Sequence, residues 1–257
     1  MPPSRSPVFT AQRDRILEIT LNRPEARNAV DLAMSEAIAA ALDQLDGDPE
    51  LRAGIITGAG KGFSAGMDFN AFLDEGEPLV AGRGFGGIVE RPSSKPLIAA
   101  IEGFAVGGGL EIALSCDLIV AATDARLGLP EVKRALIASG GGVLRLAKRI
   151  PYPIAMEIVL TGDALSAQRL YEVGLLNRVT APGEALTAAR ALARAITANG
   201  PLALAGSKRL LEGAIDWPLD RGWVEQRPIV DAVEASADAR EGALAFTEKR
   251  EPRWQGR

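Results

Sequence analysis

Two glutamates, Glu111 and Glu131, stand 20 positions apart in a chain of 257 residues that contains no histidine. Without imidazole there is no Ser-His or Cys-His nucleophile system and none of the commonest metal-ligand sets, so proton transfer falls to carboxylates, Lys, Tyr or the single cysteine. Taken singly, each glutamate is more often a surface or capping group. Glu111, however, comes just after Gly107-Gly108-Gly109 and runs into Ile112-Ala113-Leu114, an apolar setting that buries a carboxylate and raises its pKa unless it is paired. Glu131 follows directly on Pro130.

The glycine triplet lies between an apolar strand-like run and a helix-like one. Such a corner lets backbone amides approach a ligand without Cβ obstruction, and the helix start adds partial positive charge. It serves equally to pack a helix close to a strand. Ser64-Ala65-Gly66-Met67 is a second small-residue corner after a strand. If both corners face one carbonyl, two amides hold the charge of a thioester or ester enolate, worth roughly 2.7–4 kcal/mol per donor, with Glu111 beside it.

Two other glycine patterns carry less. Gly58 to Lys61 fails the phosphate-loop spacing, because the first glycine would fall at Ile55 and Gly62 follows the lysine. Gly82, Gly84 and Gly87 satisfy G-x-G-x-x-G, but no strand long enough to start a βαβ unit precedes them, so this stretch reads as a mobile loop. Asp68 and Asp117 read as caps of helices or turns, and Lys249 and Arg250 as solvated cations able to meet a phosphate.

The elements that position these residues follow from periodicity. A hairpin is expected from Val8-Phe9-Thr10 and Ile16 to Leu21, the second run alternating with period two, with a polar turn at Gln12-Arg13-Asp14. Asp31 caps a helix running to Gly47, and residues 54–58 form a strand. A buried strand over 97–101, a turn over 103–109 and a helix from Leu110 to Ser115 carry the first triplet. Strands over 118–121 and 126–130 follow, and Gly140-Gly141-Gly142 leads into a helix through Leu144, Leu146 and Ile150. Helical periods cover 154–160, 166–171 and 184–199, with Ser166 as an N-cap. Beyond residue 180 only helices follow, and the apolar face of the stretch from Pro201 to about Phe246 needs another surface to cover it. The class is mixed α/β.

Composition is that of an ordinary globular protein, 47% hydrophobic and 24% charged. The net charge of −4, with basic residues dispersed, argues against a nucleic-acid partner. Cys116, alone in an apolar run, reads as a buried structural thiol in a reducing cytoplasm. Met1 to Pro7 has no apolar signal region, and no apolar run reaches the roughly 18 residues a bilayer crossing needs, so no membrane association is expected.

In combination these residues resemble the crotonase, or enoyl-CoA hydratase/isomerase, superfamily. The resemblance is carried by Leu21-Asn-Arg-Pro-Glu-Ala-Arg-Asn-Ala29, Phe63 to Asp68, Lys95 to Ala100, Gly103 to Glu111, Cys116-Asp117, Leu127 to Glu131, Thr161-Gly162 and Phe246 to Arg250, and it spans essentially the whole chain. It implies a spiral of ββα units over residues 1–195 as the acyl-CoA-binding catalytic core and a helical oligomerisation region over 196–257, assembled as a homotrimer or a dimer of trimers. It further implies an acyl-CoA thioester substrate, no cofactor beyond the coenzyme A that the substrate carries, and a role in fatty acid metabolism. The amides of Met67 and Gly108 would form the oxyanion hole, while Ala26, Ala65, Asp68 and Lys249 would lie along CoA. Both glutamates occupy the positions of the hydratases, which implies reversible hydration of a 2-enoyl-CoA to a 3-hydroxyacyl-CoA, Glu111 deprotonating the water that attacks C3 and Glu131 delivering a proton to C2. An isomerase, a dehydratase of a modified acyl-CoA, or a non-catalytic acyl-CoA-binding protein are the alternatives. Val132 to Ser139 departs from the glycine-rich, proline-containing segment usual after the second glutamate; with Met67 and the 82–87 stretch, it points to a nonstandard acyl pocket.

Overall fold

The computed structural model describes residues 6–257, so the first five residues of the stretch read for a signal lie outside it. The first strands, β1 (Val8–Arg13) and β2 (Ile16–Leu21), pair antiparallel around a two-residue turn at Asp14-Arg15, both with positive φ. The turn is therefore tighter, and β1 longer, than the sequence suggests. Asp31 caps α1 (Leu32–Gly47) by accepting from the Met34 N–H at 2.8 Å. Next come β3 (Ala53–Gly58), α2 (Phe69–Glu75) and a short hairpin, β4 (Leu79–Val80) with β5 (Gly84–Phe85). The central part runs β6 (Leu97–Ile101), β7 (Phe104–Val106), α3 (Gly108–Leu114), β8 (Leu118–Ala122), β9 (Arg126–Gly128) and α4 (Gly142–Arg149). It continues through α5 (Tyr152–Thr161), β10 (Leu165–Ser166), α6 (Ala167–Glu172), β11 (Arg178–Thr180) and α7 (Ala185–Thr197), and ends in α8 (Pro201–Ala214), α9 (Leu219–Glu234) and α10 (Ala237–Glu248).

The chain winds as a spiral. Each turn places one strand in a six-stranded sheet of order β1-β2-β3-β6-β8-β11, parallel except at the first pair. It then steps into a second layer, where β7 pairs parallel with β9 and β9 antiparallel with β10. Single bridges extend that layer backwards, Ser64 against Ala105 and Val30 against Met67. Because parallel neighbours keep register, Ser64, Ala105 and Leu127 stand side by side. Three residues further along each of these turns lie Met67, Gly108 and Pro130, the last preceding Glu131. The spiral thus gathers residues far apart in sequence at one end of the second layer.

Both faces of the large sheet are covered. One carries the main core, including Leu17, Ile19, Leu21, Ile38, Leu42 and Ile56. Against the other, Ile16, Ile55, Ile98 and Val120 pack on Ala185, Ala189 and Ala193 of α7, whose small side chains at a four-residue spacing let the helix lie close. The alternation in β2 therefore marks two buried faces. Even Glu18 is buried there, held by the Arg190 guanidinium at 2.7 and 2.6 Å.

Three further expectations are revised. Residues 103–109 contain β7, too short for periodicity to reveal between its flanking glycines. The 82–87 stretch is anchored: Arg83 is buried, pairs with Asp43 and donates to the Arg91 carbonyl, and Gly87 lies so close to α1 that a Cβ there would sit 2.2 Å from the Ser35 carbonyl oxygen. Asp117 caps no turn; it accepts from the Leu97 N–H at 2.7 Å and from Lys208 Nζ at 2.8 Å, tying β6 to α8. No helix among the described residues is long and apolar enough to cross a membrane.

Candidate active site

A cavity of about 730 Å³ opens where the second layer ends, and Ala65, Met67, Gly107, Gly108, Glu111 and Glu131 all line it. The first corner is built by close backbone approach. Val30 donates to the Gly66 carbonyl and accepts from the Asp68 N–H, which leaves the Met67 N–H with no acceptor among the described residues. Gly66 has φ +87°, and a Cβ on it would fall 2.8 Å from the Gly108 nitrogen. The second corner begins α3, whose first intrahelical donor is the Glu111 N–H to the Gly107 carbonyl at 3.1 Å, so the Gly108 N–H is likewise without an intrahelical partner. Two free amides from adjacent turns of the spiral thus stand side by side on one wall. Gly109 answers the packing question too, since a Cβ there would lie 2.3 Å from the Ser64 carbonyl oxygen.

Glu111 projects from α3 and is 4% exposed. Its Oε1 accepts from the Gly142 N–H at 2.9 Å. Burial pushes its pKa up to about 7, against the pull of the Gly142 N–H; the charge of Glu131 pushes it further and Arg145 draws it back. Glu131 sits in a 3-10 turn (Pro130–Arg134) opened by its proline, with its carboxylate beside Gly107: a Cβ on that glycine would come 3.1 Å from Oε1. Its Oε2 is buried and finds no hydrogen-bond partner among the described residues. Burial raises its pKa as well. Two carboxylates thus line one cavity, one held by a backbone donor and one with a free oxygen, and burial makes each harder to ionise than an exposed carboxylate.

The remaining expected site residues separate. Ala65 lines the cavity and its N–H holds the Arg27 carbonyl at 3.0 Å. Ala26 ends the 3-10 turn Pro24–Ala26 and is not among the lining residues. Asp68 caps α2 through the Asn70 and Ala71 N–H groups and pairs with Arg23 at 3.0 Å; it is not among the lining residues, although Met67 and Phe69 on either side of it are. Lys249 is exposed, in left-handed backbone at the end of α10, and is not among the lining residues, and Arg250 is committed to Glu241 and Glu248. Cys116 is fully buried, and burial pushes its thiol up to about 12, leaving it inert near neutral pH.

The structure adds residues that spacing alone does not single out. Gly140 and Gly142 press on Glu111, a Cβ on Gly140 coming 2.7 Å from Oε2, and Phe85 lies over Gly108. Arg145 reaches the cavity from α4. The second glycine triplet, with an arginine soon after it near the positive end of a helix, was the available signal. Among the described residues no group of three or more metal-ligating side chains occurs.

The chain matches the enoyl-CoA hydratase/isomerase family over residues 11–257. It is 43% identical over 251 residues to the carnitinyl-CoA dehydratase of Salmonella enteritidis, covering 94% of this chain and 95% of that one. Among solved structures, an enoyl-CoA hydratase from Mycobacterium tuberculosis superposes with a TM-score of 0.96 at 55% identity, over 98% of this chain and all (100%) of that one. A carnitinyl-CoA hydratase from Mycobacterium avium gives 0.80 at 42% identity, over 99% and 100%.

Proposed function

The chain belongs to the enoyl-CoA hydratase/isomerase family, and from that premise we propose that it is a hydro-lyase that reversibly hydrates a 2-enoyl-CoA to a 3-hydroxyacyl-CoA. One observation carries this reading: the unlike pair of glutamates, Glu111 buried and held by the Gly142 N–H and Glu131 half-buried with an unpartnered buried oxygen, on the wall where the Met67 and Gly108 amides are free. With the thioester oxygen on those amides, charge that develops on it in the enolate is stabilised. Glu111, its anion supported by a backbone donor, takes a proton from water as the oxygen bonds to C3. Glu131, protonated, gives its proton to C2. The pair ends with the proton count it began with, and passage of one proton from Glu111 back to Glu131 resets it. Run in the opposite sense, the same groups remove water from a 3-hydroxyacyl-CoA.

The Salmonella relative favours a second reading, dehydration of an acyl-CoA bearing a polar substituent. Met67, Phe85 and the departures after Glu131 line or adjoin the place such a substituent would occupy. CoA itself supplies the handle and no other cofactor takes part; the handle would run past Ala65. Leu211, Ile215, Leu219, Trp223 and Val224 on α8, the segment after it and α9 are exposed, the kind of face that assembly as a homotrimer or dimer of trimers would cover. A cytoplasmic setting and a place in lipid metabolism fit this chemistry.

The test is turnover by the wild-type chain on 2-enoyl-CoAs, 3-enoyl-CoAs and 3-hydroxyacyl-CoAs of several lengths, carnitinyl-CoA included, with products separated. Hydration and dehydration without double-bond migration support the reading. Migration alone would make it an isomerase, and tight binding with no product would make it a binding protein.

A further inference from the structure

Arg145 is the fourth residue of α4, close to the positive end of the helix dipole, and is half-buried, a costly place for a guanidinium unless its donors are used. They are used on two carbonyls from different parts of the chain. Nη1 donates to Gly140 at 3.3 Å and Nη2 to Val89 at 2.5 Å. We propose that Arg145 is the positioning residue of the acid-base pair, its fork joining the Gly140–Gly142 turn that holds Glu111 to the end of the Phe85–Val89 segment, which lines the cavity and would form its acyl wall.

The contacts on either side are tight. In the turn, Gly142 donates to Glu111, a Cβ on Gly140 would come 2.7 Å from Glu111 Oε2, and Gly141, at φ +89°, leaves room for Arg145 Nη1, which a Cβ would meet at 2.1 Å. On the other side Val89 and Phe85 both line the cavity, and the Phe85 ring lies 2.5 Å from where a Cβ on Gly108 would stand. A shift of the guanidinium therefore moves Glu111 relative to the oxyanion amides and the acyl wall together. The charged groups facing Glu111 are Glu131, from the 3-10 turn, and Arg145, from α4; α3 contributes no other ionisable side chain. Arg145 also lowers the pKa of Glu111 against the burial that raises it.

The proposal rests on the hydratase reading, and wild-type turnover tests that reading separately. Given an active wild type, Arg145→Gln is expected to lose about tenfold to 10²-fold in kcat, the scale of a misplaced catalytic group, with KM changed less than about threefold. The acid limb of its kcat/KM profile moves to higher pH, because the positive charge beside Glu111 is gone. Arg145→Lys keeps the charge but cannot span both carbonyls, so its limb stays where the wild type's lies while kcat falls by about threefold or more. A Gln variant that is folded and has an unmoved limb, or a loss confined to KM, overturns the proposal. Should the Gln variant not fold, the Lys variant decides: wild-type kcat in it overturns the proposal, and a reduced kcat on an unmoved limb supports it.

Discussion

The two glycine triplets look alike in sequence and do opposite things. Both sit after an extended or polar stretch and open a helix. At Gly107–Gly109 the Glu131 and Phe85 side chains stand against the first two glycines, but the corner closes backbone on backbone, with Gly109 on the Ser64 carbonyl and Gly66 beside the Gly108 nitrogen, and the result is an amide left free toward the cavity. At Gly140–Gly142 the outer two glycines press on a side chain, Glu111, and the Gly142 amide is spent on it. The first triplet presents a donor to whatever enters; the second fixes a group of the protein's own. What stands opposite a glycine corner decides its chemistry, and the corner's own residues do not.

That contrast can be broken most forcefully by adding single methyl groups. Gly109→Ala places its Cβ against a backbone oxygen that cannot yield, so a loss of more than about 3 kcal/mol in unfolding free energy is expected, read by denaturant or thermal unfolding. Gly140→Ala meets the far end of a carboxylate, which can swing aside. It should keep most of its stability and instead lose about tenfold in kcat as Glu111 leaves its place. Equal stability losses in the two variants would erase the distinction.

A smaller effect follows from the cost of burying Glu111. Its pKa rises from an ordinary value of 4.5 to about 7 in the folded chain. Below about 4.5 the carboxyl is protonated in both folded and unfolded chains. Between there and about 7 the unfolded chain gives up the proton while the folded chain keeps it, so stability falls as pH rises and the loss is complete above the folded pKa. Relative to Glu111→Gln, the wild type should therefore weaken by about 3 kcal/mol at most between pH 4.5 and pH 8. A difference that stays flat across that window would mean that Glu111 is not held in an environment hostile to its charge.

Much of this site was legible before the structure. The apolar frame around Glu111 announces burial, and Asp31 and Ser166 cap the helices assigned to them, whereas Pro130, read as the end of a strand, instead opens the 3-10 turn that carries Glu131. The large-sheet strands and α7 follow from periodicity, except the three-residue β11, which only its parallel pairing with β8 reveals. What was not legible depends on partners in space. The three-residue β7 has no period to detect; its pairing with β9 places it. The 82–87 stretch looks mobile because it is rich in glycine, yet those glycines admit Ser35 and Ile112 at close range. Asp117 looks like a local cap because sequence does not show Lys208 arriving from 91 residues away. Arg145 is a helix-start arginine until its two carbonyls are seen.

The central claim is that Glu111 and Glu131 do separate work on one water beside the Met67 and Gly108 amides. Its most direct test is the rate of hydration of crotonyl-CoA and longer 2-enoyl-CoAs by wild type, Glu111→Gln and Glu131→Gln, each shown to be folded. Both variants are predicted to lose at least about 10² in kcat, the scale of a positioned acid or base. Near-wild-type hydration by either one would contradict the claim, because that carboxylate could then have no part in moving the proton.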